Sequence, residues 1–310
     1  MFRGWSRRQF LATSSAAVLA PSCLSAAATG APTRPQEVPD GDMEKIAAAM
    51  PAAQAKPARP RKALNFYRTE GFVHRSIGWG NACLKMLGET TGAFTCAASD
   101  DMAMFDPGAL DEFDVVIFNN STRLGFENPI HRRTLMDFMD KGKGIAGIHA
   151  ATDNFYTWPE AAEMMGGLFN GHPWGAGGTW AMQVEGPGHP VNRGFDGQGF
   201  WLKDEIYNLK APYSRERLRI LVGLDMTKQA NQKNGREDKD QAISWVRSFG
   251  RGRVFYCSMG HNELVYWQKP VVTHYLDGIQ FAIGDLKADA TPSADLKNRP
   301  EVAPAPERKS

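Results

Sequence analysis

The chain has 310 residues, of which 42% are hydrophobic, 23% charged and 10% aromatic. That composition excludes fibrous, collagenous and wholly disordered classes, and the length allows one large α/β domain with tails or two smaller domains. The formal charge is +2, and Arg3, Arg7 and Arg8 are the only charged side chains before Thr29, so the chain from Thr29 onward carries −1. A near-neutral body argues against nucleic acid as a partner, because phosphate binding needs a concentrated basic face, and binding to a membrane surface weakens for the same reason.

Ser6-Arg7-Arg8-Gln9-Phe10-Leu11 sets two adjacent arginines before an apolar stretch over 10–20, too short to span a bilayer. The pattern resembles a twin-arginine export signal, with small residues at Ala26-Ala27-Ala28 for cleavage, and so places the protein in the periplasm or outside the cell with no membrane span after removal. Lipid anchoring at Cys23 is disfavoured, because Ala20-Pro21-Ser22 lacks the large apolar residue such a site needs. Cleavage leaves Cys83, Cys96 and Cys257, an odd count read as small buried hydrophobes, with at most one disulfide and no metal-ligand spacing.

Four regions follow: a signal segment at 1–28, an Ala/Pro-rich linker or arm at 29–61 with one short helix at 43–50, a folded domain at 62–286, and a disordered tail at 287–310. Within the domain, the spacing predicts a strand at 63–67, a helix at 77–90, strands at 94–98 and 113–118, and a helix at 130–140. A strand at 144–149 and a helix at 159–168 come next, then strands at 179–185, 219–224, 242–246 and 253–258 and a closing helix at 271–284. The alternation of strands and helices predicts an α/β fold, a mostly parallel sheet covered by helices on both faces.

Ligands of open parallel sheets bind beyond the carboxyl ends of the strands. His74, His149, His172 and His261 all fall at such loop positions, with Asp153 and Asp204-Glu205 as acidic partners. Taken singly, each histidine reads as a structural or surface residue, Asp153 as a cap, and Tyr156, Trp158, Trp174 and Trp180 as core. Taken together, imidazoles with a carboxylate form either a divalent-metal set or an acid–base pair, and the sequence leaves both open. Gly171 to Gly178 lacks the Gly-Lys-Ser/Thr ending of a phosphate loop, and the alternating Arg215, Arg217 and Arg219 read as a solvated face.

Gly147-Ile148-His149-Ala150-Ala151-Thr152-Asp153, Tyr156, Trp158-Pro159 and Phe169-Asn170-Gly171-His172-Pro173 resemble the signature of the ThuA-like, or trehalose-utilisation, family. Gly71-Phe72-Val73-His74-Arg75-Ser76-Ile77, Asp204-Glu205-Ile206-Tyr207 and the run from Gly252 to His261 add to the match. The resemblance implies a three-layer, flavodoxin-like sheet related to class I glutamine amidotransferases, and a link to sugar metabolism. At the turn where those enzymes carry a nucleophilic Cys, this chain carries His149, so glutamine hydrolysis is not expected.

The resulting expectation is an exported enzyme acting on a sugar or keto-sugar. His149, His261, Asp153 and Glu205 are its candidate catalytic groups. His74, Tyr156, His172, Trp174 and Tyr207 are the candidate substrate contacts, and His149, His172, Glu205 and His261 the candidate ligands of a divalent metal such as zinc. The alternatives are a non-catalytic periplasmic carbohydrate-binding or accessory protein, and a metal-dependent hydrolase of a non-sugar substrate.

Overall fold

The computed structural model describes residues 33–298 and 300–308. The signal segment and Cys23 therefore lie outside the described residues. The parallel half of the sheet is built from β1 (Lys62–Phe66), β2 (Thr95–Ser99), β3 (Val115–Asn119) and β4 (Gly144–Ile148). After β5 (Leu168–Phe169) come β6 (Thr179–Glu185), β7 (Phe200–Lys203), β8 (Leu209–Lys210), β9 (Arg219–Leu224), β10 (Ala242–Phe249), β11 (Gly252–Cys257) and β12 (Val302–Ala303). The order is β12-β6-β9-β10-β11-β4-β3-β1-β2, with β7 also on β6. Strands β2, β1, β3, β4 and β11 are mutually parallel, and β10, β9, β6, β7 and β12 extend the sheet in antiparallel pairings.

Successive side chains of a strand face opposite sides, and both sides here are apolar. In β3, Val115 and Ile117 enter one core while Val116 and Phe118 enter the other. The first core is closed by α1 (Asp40–Ala48), α2 (Ile77–Thr91) and α5 (Lys269–Ile283), the second by α3 (Pro129–Asp140) and α4 (Pro159–Met165). The three-layer α/β expectation holds, with an antiparallel wing added. Pro129 and Pro159 open their helices at the position where a missing N–H costs nothing. Helix α4 stops at Met165, three residues before the expected end, because Gly166 turns left-handed at φ 97°.

Two segments depart from expectation. Residues 33–61 are not a detached arm: Ile46 of α1 is fully buried, Asp42 accepts from Trp79 Nε1 at 2.9 Å, and Gln280 Nε2 donates to Ala55 O at 2.7 Å. Nor is the end of the chain a disordered tail over its described residues. There β12 pairs with β6, Ala305 is buried, its N–H donates to Asp225 Oδ2 at 3.1 Å, and Pro306 O accepts from Trp201 Nε1 at 2.7 Å. Neither segment has enough apolar surface for a core of its own. Each instead borrows the domain's core, and the C-terminal segment also pairs its backbone with β6, which composition alone does not register. Cys83, Cys96 and Cys257 are free thiols, the first and last buried and Cys96 half-buried.

Candidate active site

Strands β4 and β11 lie side by side in parallel, with Cys257 opposite Ile148. The residues that follow each strand therefore emerge together at one edge of the sheet. His149 turns immediately after β4 in the left-handed region, φ 48°, a conformation that costs a residue with a Cβ roughly 1 kcal/mol or more. The turn is tied down by Tyr256, whose hydroxyl donates to His149 O at 2.7 Å. The ring is fully buried, and its Nδ1 lies 2.7 Å from Ser258 O. A carbonyl only accepts, so Nδ1 carries the proton and Nε2 presents a lone pair.

Nε2 of His149 faces His261 Nδ1 at 3.3 Å and Glu205 Oε1 at 3.8 Å, and His261 Nδ1 is 3.2 Å from the same oxygen. The loop bearing His261 is held from several directions. Gly260 N and Asn262 N donate to the two oxygens of buried Asp204 at 2.7 and 2.8 Å, while Ser76 Oγ and Tyr266 OH donate to Gly260 O at 2.8 and 3.0 Å. Gly260 has φ 138°, and a Cβ there would sit 2.9 Å from the Tyr266 hydroxyl and 3.3 Å from His149 Cβ, so only glycine lets the two histidine loops approach.

Glu205 arrives from a short ribbon. β5 pairs antiparallel with β8, and the pairing continues to a bridge between Trp174 and Ile206. This brings the 168–174 segment beside 206–210 and sets His172 Nδ1 3.3 Å from Glu205 Oε2. His74 enters from the β1–α2 loop. Its ring centroid lies 4.8 Å from that of His149 and 5.2 Å from that of His261, and its Nε2 is 3.5 Å from Tyr207 OH. Nδ1 of His74 is buried without a hydrogen-bond partner among the described residues. One ligand atom each from His74, His149, Glu205 and His261 lies within 4.8 Å of all the others.

Burial lowers the pKa of His74 to about 3, helped by the nearby His261 and His172, and burial together with His74 and His261 lowers that of His149 well below its ordinary value. Both rings are thus neutral at neutral pH, the form that ligates metal or accepts a proton. Burial opposes charge on His261 too, but the hydrogen bond and charge of Glu205 outweigh it and raise its pKa. Burial pushes Asp204 up to about 7 against the backbone N–H groups that favour its anion.

The structure thus joins His149, His261 and Glu205 and adds His74, expected only as a substrate contact, to the innermost group. His172 touches Glu205, but its side chain is 54% exposed and it stands outside the four-atom group. Tyr207 packs its ring 4.5 Å from that of His149. Asp153 accepts a hydrogen bond from Tyr156 OH at 2.6 Å and pairs with Arg123 Nε at 3.3 Å, so its carboxylate engages these rather than an imidazole. Trp174 does not line the opening: it is fully buried, its Nε1 donating to Asn231 O at 3.0 Å, because the Trp174–Ile206 bridge turns the indole into the core. Sequence reading missed the supporting roles of Ser258, Ser76, Tyr266 and Asp204. Only the Asp204-Glu205 doublet signalled any of them, since Ser258 acts through its carbonyl and Ser76 and Tyr266 through hydroxyls aimed at the carbonyl of Gly260. No thiol occupies the turn, and burial pushes Cys83 and Cys96 up to about 12.

The family model for ThuA, described as trehalose utilisation, matches residues 62–282. The chain belongs to the ThuA family. A putative ThuA-like protein from Bacteroides uniformis ATCC 8492 is 22% identical with a TM-score of 0.58, over 74% of this chain and 95% of that one. A second, from Parabacteroides merdae ATCC 43184, is 18% identical with a TM-score of 0.55, over 73% and 91%. At these identities the likeness establishes the shared fold. No curated protein matches the chain.

Asp204→Asn keeps the shape of the clamp but turns one acceptor into a donor aimed at a backbone N–H. It is expected to lower unfolding free energy by about 1–3 kcal/mol, measured by denaturant titration. A variant as stable as the parent contradicts the clamp.

Proposed function

We propose that this ThuA-family chain is an exported enzyme acting on a sugar or keto-sugar, with a divalent metal held by His149, Glu205 and His261 and with His74 adjoining. The observation that carries the reading is the spacing of donor atoms. Around a zinc-sized ion with bonds of about 2.0–2.1 Å, tetrahedral ligand atoms stand roughly 3.3–3.4 Å apart. The separations among His149 Nε2, His261 Nδ1 and Glu205 Oε1 are 3.2, 3.3 and 3.8 Å. The His149 Nδ1–H bond to a main-chain carbonyl is the outer contact that ligating imidazoles keep, and His74, whose ring belongs to the group, keeps a buried Nδ1 without a partner.

With His149, Glu205 and His261 as the three ligands and His74 beside them but unbound, one tetrahedral position is left to substrate, the pattern of catalytic rather than structural sites. An ion bound there supplies Lewis acidity toward a carbonyl or hydroxyl oxygen. The chain's own groups do the rest. Neutral His149 offers its lone pair, Glu205 supplies negative charge with one oxygen and holds half-exposed His172 with the other, and the Tyr207 hydroxyl stands beside His74. The family description supports a saccharide as the substrate class. The Arg7-Arg8 pair with its apolar follow-on supports export.

Purified protein is expected to convert at least one member of a panel of disaccharides and keto-glycosides, followed by NMR of the products. His149→Ala and Glu205→Ala are each expected to slow that conversion by about 100-fold or more. Full activity in both variants contradicts the assignment, and a glycan bound but returned unchanged makes the protein a carbohydrate-binding accessory instead. Replacing Arg7 and Arg8 with Lys is expected to leave the chain in the cytoplasmic fraction of cells; continued appearance in the periplasm contradicts twin-arginine export.

A further inference from the structure

Beside the imidazole cluster stands an apolar pair that the fold does not use. Phe72 is 64% and Val73 53% exposed, although the next residue, His74, is buried in the cluster. The loop that carries them is firmly held. Thr122 Oγ1 donates to Phe72 O at 2.9 Å, Glu70 N donates to Thr122 O at 2.8 Å, and Thr69 bridges Thr122. Gly71 packs so closely on Arg123 that a Cβ there would sit 2.4 Å from Arg123 Cγ. An aromatic ring fixed in water by its own backbone contributes little to folding, and an apolar patch maintained at the rim of a polar site marks a contact surface.

Position defines the ligand. The Phe72 ring centroid is 4.8 Å from that of His74, which is in turn 4.8 Å from that of His149. Phe72 therefore stands one ring outward from the groups that would engage the reacting sugar. A pyranose has a face of C–H bonds that packs on an aromatic ring while its hydroxyls stay in water.

We propose that Phe72, extended by Val73, is a platform for a second sugar ring, so that the site takes a disaccharide or larger glycoside rather than a monosaccharide. This rests on the saccharide reading above. The test is isothermal titration of trehalose, maltose and methyl α-D-glucoside into the full protein, Phe72→Ala and Phe72→Trp, with metal content and thermal stability recorded for each. Phe72→Ala is expected to weaken disaccharide binding about tenfold while leaving methyl α-D-glucoside within about twofold, and Phe72→Trp to preserve both. Disaccharide binding unchanged in Phe72→Ala, or an equal loss for the monosaccharide, overturns the platform while leaving the saccharide reading intact. If the parent protein binds neither disaccharide, the platform falls, while the saccharide reading is decided separately by the disaccharide and keto-glycoside conversion panel above.

Discussion

The parallel pairing of β4 with β11 is the constraint on which the site depends. Residues distant in sequence are placed at one sheet edge by main-chain hydrogen bonds, with Ile148 opposite Cys257. His149 then needs only a left-handed turn, and His261 only a clamped loop, for their ring nitrogens to meet at 3.3 Å. The clamp is Asp204, next in sequence to Glu205, so one dipeptide both fixes the His261 loop and supplies the carboxylate that faces it. A shift of one residue in the β4–β11 register would send the side chains of one strand to the opposite faces and move apart the loops that follow.

Burial sets the chemistry of the cluster. Packing three imidazoles and a carboxylate in a half-dry space is costly if the rings are charged, and the structure avoids that cost by keeping His74 and His149 neutral. The carbonyl of Ser258 fixes the tautomer of His149, and His74 keeps a buried nitrogen without a partner, features in keeping with the metal site proposed above. Burial likewise makes Cys83 and Cys96 poor nucleophiles.

Much of this was legible in the sequence, for reasons that also explain the remainder. The β-branched runs at Val115–Asn119 and Arg219–Leu224 and the helical spacing at Ile77–Thr91 report burial directly, because such strands and helix faces have no other stable place. The family resemblance implies His149 and His261 at one rim with Glu205 close by, and the structure brings these three together. What could not be read were features set by long-range pairing. The two-residue strands β5 and β8 are too short to carry periodicity, yet their pairing brings His172 to Glu205 and turns Trp174 inward. His74 sits among exposed neighbours in its loop, so nothing local distinguishes it from a contact residue. The Ala- and Pro-rich ends look unfolded because their core and their strand partner belong to the rest of the domain.

The central claim is that His149, His261 and Glu205 form one metal centre. Its most direct test is anomalous diffraction from crystals of the full protein grown with zinc and recorded on both sides of the zinc absorption edge. The account predicts a single strong peak about 2.0–2.2 Å from His149 Nε2, His261 Nδ1 and a Glu205 oxygen. No peak at that position, or peaks confined to surface carboxylates and exposed histidines, would contradict it.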